Sequence, residues 1–257
     1  MTLTSTRYGF VIAICLLSLL HFIYGTSLWW MLLPIILSQL LLIYGSSIIH
    51  SNFYGPVHCC AGGLKKEIAL SFDDGPNRVF TPQILSVLEQ FNVPATFFVI
   101  GKHVSGNEDI LQQIDAAGHS LGNHSFTHSV FVDFKGLQGF KNELTKTADI
   151  VFGVIGKRMK MFRPPFGVTT PSLMKASSQL DYRVIGWSVR SLDTTSDSAQ
   201  TIVRRVQAQL QPGAIILFHD ASDKTVEALT QTLKFAKENG YKVVSVEKLL
   251  NIDAYEK

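Results

Sequence analysis

The chain has 257 residues and a formal net charge of +3, which leaves room for one large domain with an appended segment. Its basic residues form no long runs, and this argues against nucleic-acid binding. The three cysteines, Cys15, Cys59 and Cys60, have no CxxC spacing, which argues against a disulfide framework and a thiolate zinc site. No segment indicates a protein partner.

Two uncharged apolar runs occupy residues 8–24 and 28–49, separated only by GTS. A helix that spans a bilayer needs about 20 apolar residues, with about 17 as the lower limit. The runs therefore predict a membrane anchor of two transmembrane helices within residues 1–52. The alternative is a cleaved signal peptide followed by a buried core helix. Aromatic residues suited to a membrane interface lie near the ends of the runs: Tyr24, Trp29, Trp30 and Tyr44.

Residues 65–257, after a linker expected at 53–64, have the pattern of an α/β domain. Seven short apolar or β-branched runs are strand candidates: EIALSF, ATFFVI, HSLGN, MFRPP, YRVIGWSV, AIILFH and YKVVSV. Segments with helical spacing lie between most of them, as in TPQILSVLEQF and AQTIVRRVQAQL. This alternation predicts βα units around a parallel sheet. Seven strands favour a barrel over an open sheet, with functional residues at the carboxyl ends of the strands.

The stretch SFDDGP places two adjacent carboxylates, Asp73 and Asp74, at the end of the first strand candidate. Because side chains alternate across a strand, at least one of the two points away from water. An unpaired buried carboxylate is costly. The pair therefore predicts a cation beside it.

Two histidines follow the third strand candidate. GNHSFTH places His124 and His128 four residues apart, and a helical turn would project both rings from one face toward one ion. Histidines at this spacing are often ordinary polar residues, but an aspartate pair at another strand end strengthens the metal interpretation. Two histidines and one carboxylate leave coordination positions open, which is typical of a catalytic metal.

Two further strand ends carry reactive groups. Arg163 follows the apolar Met161 and Phe162 in MFRPPFG, and the prolines fix the backbone after it. Near the C-terminus, ILFHD ends a strand candidate with His219 and Asp220. His219 alone suits a buried core histidine, but its position at the predicted rim favours a functional role.

SFDDGP, HSFTH, RPPFG and LFHD, in this order, resemble four of the five signature motifs of the polysaccharide deacetylase family. These are metal-dependent enzymes that include chitin and peptidoglycan N-deacetylases. The resemblance covers about residues 65–250. It implies an α/β fold of the distorted (β/α)7 barrel type. The two transmembrane helices predicted from the apolar runs precede this barrel.

The resemblance also implies roles for individual residues. Asp74, His124 and His128 would hold a divalent metal ion, with Zn²⁺ favoured over Co²⁺ and other divalent ions. Asp73 would be the general base that takes a proton from the water on the metal. His219 would be the general acid that protonates the leaving amine.

Two more roles follow from the resemblance, and one motif departs from it. Arg163 would orient the base, and the backbone N–H of Phe166 would help to hold the oxyanion. In WSVRSLDTT, Asp193 matches the aspartate that braces the catalytic histidine. Arg190 stands where the family has another aspartate, and Thr194 replaces a tryptophan, which removes an aromatic wall from the expected substrate groove.

The function expected from these residues is hydrolysis of N-acetyl groups on a cell-envelope polysaccharide, such as peptidoglycan or a chitin-like oligosaccharide. One alternative is a deformylase or deacetylase of a lipid-linked amino sugar, for which the hairpin would place the site near the bilayer. Another is a catalytically silent glycan-binding module, which the complete set of motif residues disfavours.

The expected location is the cell membrane, with the lipid bilayer as a partner. Arg7, Lys65 and Lys66 flank the predicted hairpin, whereas GTS carries no charge, so the positive-inside rule favours a cytoplasmic domain. The expected substrate favours a domain outside the cytoplasm. We expect the outside orientation, because only these three charges favour the cytoplasmic one.

Overall fold

The computed structural model describes residues 2–63 and 65–257. It begins with α1 (Leu3–Tyr24), and a 3₁₀ turn (Leu28–Met31) then leads into α2 (Leu32–Ser47). The two apolar segments, Leu3–Tyr24 and Leu28–Ser47, are long and apolar enough to cross a membrane. Most of their large side chains are exposed, so α2 is not the buried core helix of the signal-peptide alternative.

The domain that follows is built on one parallel sheet, which has eight strands in the described residues. Its pairing order is β5-β4-β3-β2-β1-β7-β6, and β8 pairs with the first half of β1. The strand bounds are β1 (Glu67–Asp73), β2 (Thr96–Val99), β3 (Ser120–Asn123), β4 (Met161–Phe162), β5 (Arg183–Val184), β6 (Val189–Arg190), β7 (Ile215–His219) and β8 (Lys242–Val244).

The two edges of this sheet approach each other. Strands β5 and β6 are the two ends of the pairing order, yet only residues 185–188 connect them. An extended connection covers about 3.5 Å per residue, so the edges lie within about 18 Å of each other. The sheet is therefore a curled, incompletely closed barrel, and the predicted distorted barrel is confirmed.

One strand prediction differs from the structure. The run YRVIGWSV forms two short strands, β5 and β6, because its backbone changes partners midway. Gly186 N–H donates to the carbonyl of His58, whereas Ser188 N–H donates to the carbonyl of Ile215 on β7. Partners this distant in sequence leave no trace in the local pattern.

The helices that cover the sheet follow the predicted spacing. Thr170, Ser198 and Ser222 begin three of them, and each hydroxyl accepts a hydrogen bond from a backbone N–H three residues on. The short helices α4 and α10 were not predicted. The bounds are α3 (Phe80–Phe91), α4 (Gly101–Val104), α5 (Glu108–Ala116), α6 (Gly136–Ile155), α7 (Pro171–Gln179), α8 (Ala199–Gln209), α9 (Asp223–Glu238) and α10 (Val246–Leu250).

Strand β1 lies at the centre of the core and carries the aspartate pair at its end. The Phe72 ring stacks between those of Phe97 and Phe218, with centroid distances of 5.0 and 6.0 Å. In the pairing of β1 with β7, Asp73 is the partner of His219. Packing of this apolar layer therefore fixes two predicted functional residues side by side.

Much of the stretch expected to be a linker packs into the domain. Phe53 is only 2% exposed. His58 forms a parallel bridge with Ile185, and Cys60 forms an antiparallel bridge with Ala214. The domain boundaries at 52 and 65 stay predictions, but the chain between them is held by the barrel as far as Cys60.

The helical hairpin also contacts the domain directly. Thr169 donates from its backbone N–H to the carbonyl of Ser46 and from its hydroxyl to that of Gly45, each at 3.1 Å. At the start of α1, Leu3 N–H donates to the carbonyl of Phe53 at 3.0 Å. The end of α2 therefore lies against the loop that follows RPPFG.

Candidate active site

Asp73 is the buried member of the aspartate pair and is 3% exposed. Nη1 of Arg163 donates to Oδ1 of Asp73 and to Oγ of Ser71, both at 2.8 Å. Burial raises the pKa of Asp73, and the Arg163 guanidinium opposes that rise. Arg163 is itself fully buried, and Nη2 donates to the carbonyl of Gly186. A cation is therefore built into the fold beside Asp73.

Asp74 faces the two histidines. Its backbone adopts the left-handed conformation, with φ of 77°, which ends the strand and redirects the side chain. Oδ1 lies 3.6 Å from Nε2 of His124 and 3.5 Å from Nε2 of His128. One ligand atom from each of the three residues lies within 4.8 Å of the others. The structure thus brings the predicted metal ligands together.

The histidines lie on an irregular loop and not on the expected helical turn. Residues 124–130 are described and contain no helix. Ser125 and His128 have φ of 64° and 48°, and these reversals leave the rings of His124 and His128 with centroids 4.8 Å apart. The four-residue spacing therefore reflects a tight loop.

Glu143 on α6 holds this loop in place. Its Oε2 accepts hydrogen bonds from the backbone N–H groups of Phe126 and Thr127 at 3.0 and 2.7 Å, and Lys135 pairs with Oε1. Burial opposes ionisation of Glu143, but the hydrogen bonds from Lys135 and Thr127 hold its pKa below the usual value. Sequence reasoning missed Glu143, because a glutamate inside a helix carries no local signal of this contact.

The Asp74–His124–His128 cluster fits a divalent cation by its own chemistry. Oδ1 of Asp74 is buried and has no hydrogen-bond partner in the described part of the chain, although a buried oxygen of this kind normally has one. Nδ1 of His124 lies 2.8 Å from the carbonyl of Arg163, which directs Nε2 toward Asp74. Burial lowers the pKa of His124 to about 3, so the ring is neutral and can donate a lone pair.

His219 and Asp193 form the second acid–base pair. Nδ1 of His219 lies 2.8 Å from Oδ1 of Asp193, and Oδ2 accepts from the His219 N–H and from the hydroxyl of Thr225, both at 2.8 Å. Burial opposes ionisation of both groups, but their mutual interaction lowers the pKa of Asp193 and raises that of His219. Thr225, on α9, was not foreseen from the sequence.

The aspartate pair, the two histidines of the loop and His219 meet at a cavity of about 230 Å³ at the carboxyl ends of the strands. This is slightly below the roughly 300–1,000 Å³ of most small-molecule pockets. Arg163 and Asp193 lie behind its wall and hold Asp73 and His219. Predicted residues that line the cavity are Asp73, Asp74, His124, His128, Phe166 and His219.

The RPPFG loop forms one side of this cavity. Phe166 has φ of 58°, and its ring lies 4.4 Å, centroid to centroid, from that of His128. Gly167 packs so closely on Trp187 that a Cβ there would collide with the indole. Trp187, also unforeseen, lines the cavity together with Arg190 and Thr194.

Asp220 is a buried carboxylic acid with no role assigned from the sequence. The Thr81 hydroxyl donates to its Oδ2, and its carboxyl group lies against Gly75, where a Cβ would collide with it. Burial raises the pKa of Asp220 to about 7. Asp220 thus packs against the turn that follows the aspartate pair.

Barrel hydrolases that use a metal ion keep their ligands and acid–base groups at the carboxyl ends of parallel strands, which is where this chain places the predicted ones. The family model for polysaccharide deacetylases matches residues 62–185, and the chain belongs to that family. Deacetylases of this family are metal-dependent, and the Asp74–His124–His128 cluster is a possible metal site.

A curated relative and a solved structure agree with this assignment. The chain is 33% identical to a peptidoglycan-N-acetylglucosamine deacetylase of Bacillus cereus over 186 residues, which are 71% of this chain and 67% of the relative. A crystal structure of the Bc1960 peptidoglycan N-acetylglucosamine deacetylase, in complex with 4-naphthalen-1-yl-N-oxidanyl-benzamide, is similar with a TM-score of 0.74 and 30% identity. That match covers 78% of this chain and 95% of the other.

The fold also matches a protein described as inactive. A CE4 family pseudoenzyme from Bacillus anthracis is similar with a TM-score of 0.70 and 28% identity, over 74% of this chain and 67% of that chain. Likeness of fold therefore does not distinguish a working site from a silent one. The distinction depends on the site residues of the chain itself.

Proposed function

We propose that the protein is a metal-dependent hydrolase that removes N-acetyl groups from a cell-envelope glycan. The observation that carries this proposal is the Asp74–His124–His128 cluster beside Asp73, with His219 on the neighbouring strand. A silent glycan-binding module would not need this complete set of ligands and acid–base groups.

Asp73 is the proposed general base. A divalent cation held by the cluster would lower the pKa of bound water to about 7 and polarise the amide carbonyl. The Oδ2 atom of Asp73 lies 3.7 Å from Nε2 of His124, so the carboxylate borders the cluster. Arg163 holds Oδ1, which leaves Oδ2 to accept a proton from the attacking water.

His219 is the proposed general acid. Its pKa is raised, with Asp193, Asp73 and Asp74 opposing the effect of burial, and this keeps a proton available for the leaving amine. Oδ1 of Asp193 accepts a hydrogen bond from Nδ1–H of His219, so Nε2 is the atom left to deliver the proton. The backbone N–H of Phe166 is the proposed donor to the oxyanion.

Zn²⁺ is the proposed ion. Two imidazoles and one carboxylate are ligands that Zn²⁺ accepts in catalytic sites while keeping an open position. The same ligands suit Co²⁺, which is the second candidate ion.

Peptidoglycan is the proposed substrate, because both the curated Bacillus cereus relative and the Bc1960 protein are named as peptidoglycan deacetylases. A chitin-like oligosaccharide offers the same N-acetyl group and is the second candidate. A lipid-linked amino sugar is favoured by one observation: the end of α2 contacts Thr169, three residues from the cavity residue Phe166.

We propose that residues 1–52 anchor the protein in the cell membrane and that residues 65–257 form the catalytic domain outside the cytoplasm. Two segments of 22 and 20 residues support the anchor, since about 20 helical residues span a bilayer. The substrate supports the outside orientation. A reporter fused after Lys257 should be active outside the cytoplasm, and activity confined to the cytoplasm would shift weight to a lipid-linked substrate.

Acetate release from purified peptidoglycan by the full-length protein tests the proposal, with chitin oligomers and a lipid-linked amino sugar as comparison substrates. Asp73→Asn should lower turnover by about 10²–10⁴ and keep the metal, whereas Asp74→Asn should lose both. Equal metal loss in both variants would contradict the division of roles. Formate release from the lipid-linked sugar, without acetate from any glycan, would favour the alternative.

A further inference from the structure

Arg190 presents a positive charge at the catalytic cavity. It ends β6, pairs with Leu217 on β7, and lines the cavity with Trp187 and Thr194. Leu217 lies two residues before His219, which corresponds to about 7 Å along the strand. The guanidinium of Arg190 is therefore within reach of a sugar held beside the proposed acid.

This guanidinium has no hydrogen-bond or ion-pair partner among the residues that the structure describes. Its Cζ atom lies 5.7 Å from the centroid of the Trp187 ring. The cavity's own carboxylates are engaged elsewhere: Asp73 binds Arg163, and Asp74 faces the histidines. Five N–H donors of a permanent cation thus lack an acceptor from the chain.

An exposed arginine is usually just hydrated, but Arg190 differs in two respects. It lines the cavity that holds the proposed acid and base, where a substrate must displace water. It also stands where the resemblance to the family expects an aspartate, so the residue present and the residue expected carry opposite charges. A neutral N-acetyl sugar would offer this cation hydroxyl and carbonyl acceptors but no opposite charge.

We propose that the cavity takes an N-acetylated sugar that carries an anionic group, a carboxylate or a phosphate, and that Arg190 binds this group. Guanidinium binds either anion through paired N–H donors. The Trp187 ring beneath the guanidinium restricts its position. The inference rests on the proposed function and narrows its substrate class to acidic sugars.

Steady-state kinetics with the full-length protein test the inference on three sugars that share the N-acetyl group. One carries a carboxylate, as in an N-acetylmuramic acid oligomer. The second is the same oligomer with the carboxyl group reduced to an alcohol, and the third carries a phosphate. Arg190→Ala should raise KM for an acidic sugar by about 10- to 100-fold, the size of a lost charge-assisted hydrogen bond. The acidic sugar whose KM rises more in Arg190→Ala identifies the anion that Arg190 binds.

The reduced oligomer and two further variants separate binding from structural damage. The increase in KM caused by Arg190→Ala should be at least fivefold smaller for the reduced oligomer than for its acidic parent. Arg190→Lys should recover part of the loss, and Arg204→Ala, an exposed arginine on α8, should stay within about twofold of the unchanged protein. Equal losses on acidic and neutral sugars would overturn the inference.

Binding of the acidic monosaccharides, measured by calorimetry on the metal-loaded protein, separates this inference from the proposed function. Tighter binding of an acidic sugar than of N-acetylglucosamine, lost in Arg190→Ala, supports the inference even if no acetate is released. Acetate release without any preference for acidic sugars would leave the proposed function standing and overturn the role of Arg190.

Discussion

Nδ1 of His219 lies 2.8 Å from Oδ1 of Asp193, and the two groups lie on neighbouring parts of the barrel rim. Asp193 also accepts from the His219 backbone N–H, so it fixes both the ring and the strand end. A buried imidazole would ordinarily lose its proton more easily, but here the carboxylates raise the pKa. The carboxylate of Asp193 therefore favours the protonated form of His219.

Asp193→Asn should lower kcat and shift the basic limb of the pH–rate profile to lower pH. Activity that needs protonated His219 is present below the pKa of that group and lost as the pH rises through it. Removing the carboxylate lowers this pKa, so activity should be lost at a lower pH. Metal content should not change. A basic limb that stays in place would show that His219 is not the acid.

His124→Ala and His128→Ala should each lower the metal content of the full-length protein and abolish turnover. The expected ratio for the unchanged protein is close to one ion per chain, measured by elemental analysis after dialysis. A chelator should inactivate the unchanged protein, and added Zn²⁺ should restore it. His50→Ala, which alters an exposed histidine beyond α2, serves as the control. Normal metal content in the double histidine variant would refute the ligand assignment.

The fold could be predicted largely because strand and helix signals are local. Apolar runs gave six of the strands and the amphipathic spacing gave the main helices. The division of YRVIGWSV into β5 and β6 could not be predicted, because it depends on His58 and Ile215, far away in sequence. Packing of residues 53–60 against the barrel was missed for the same reason.

The site shows the same limit. Its reactive residues sit in short motifs at strand ends, and the structure brings them to one cavity. The supporting residues Glu143 and Thr225 were missed, since each acts through a contact with a distant segment. Asp220 was noted at its strand end, but its contact with the distant Thr81 could not be predicted. The helical turn expected at His124 and His128 was wrong, because Glu143 binds the backbone of that loop instead.

Gly45→Ala should destabilise the protein, because Gly45 in α2 packs against Phe53 so closely that a Cβ would collide with the ring. Overpacking of this kind costs about 1–3 kcal/mol. Gly9→Ala in α1 is the matched control, since a Cβ there meets nothing within 4 Å. Alanine at that position should be neutral or stabilise by up to about 1 kcal/mol. Thermal midpoints measured in detergent should therefore be lower for Gly45→Ala than for Gly9→Ala. Equal midpoints would show that the hairpin does not dock through Gly45.

Asp220→Asn should change how stability depends on pH. The pKa of Asp220 is about 7 in the folded protein, far above that of an exposed aspartate. Between about pH 4 and pH 7 the folded state therefore holds a proton that the unfolded state releases, so this carboxyl makes the protein less stable as the pH rises through that window. Asparagine cannot ionise, so the free energy of unfolding of the variant should rise relative to that of the unchanged protein by up to about 1.4 kcal/mol per pH unit in this window.

Urea midpoints from pH 5 to pH 8, on metal-depleted protein, measure the difference between Asp220→Asn and the unchanged protein. Glu89→Gln, at an exposed position of α3, should give a curve parallel to the unchanged protein. If Asp220→Asn runs parallel as well, the carboxyl is not protonated in the folded state.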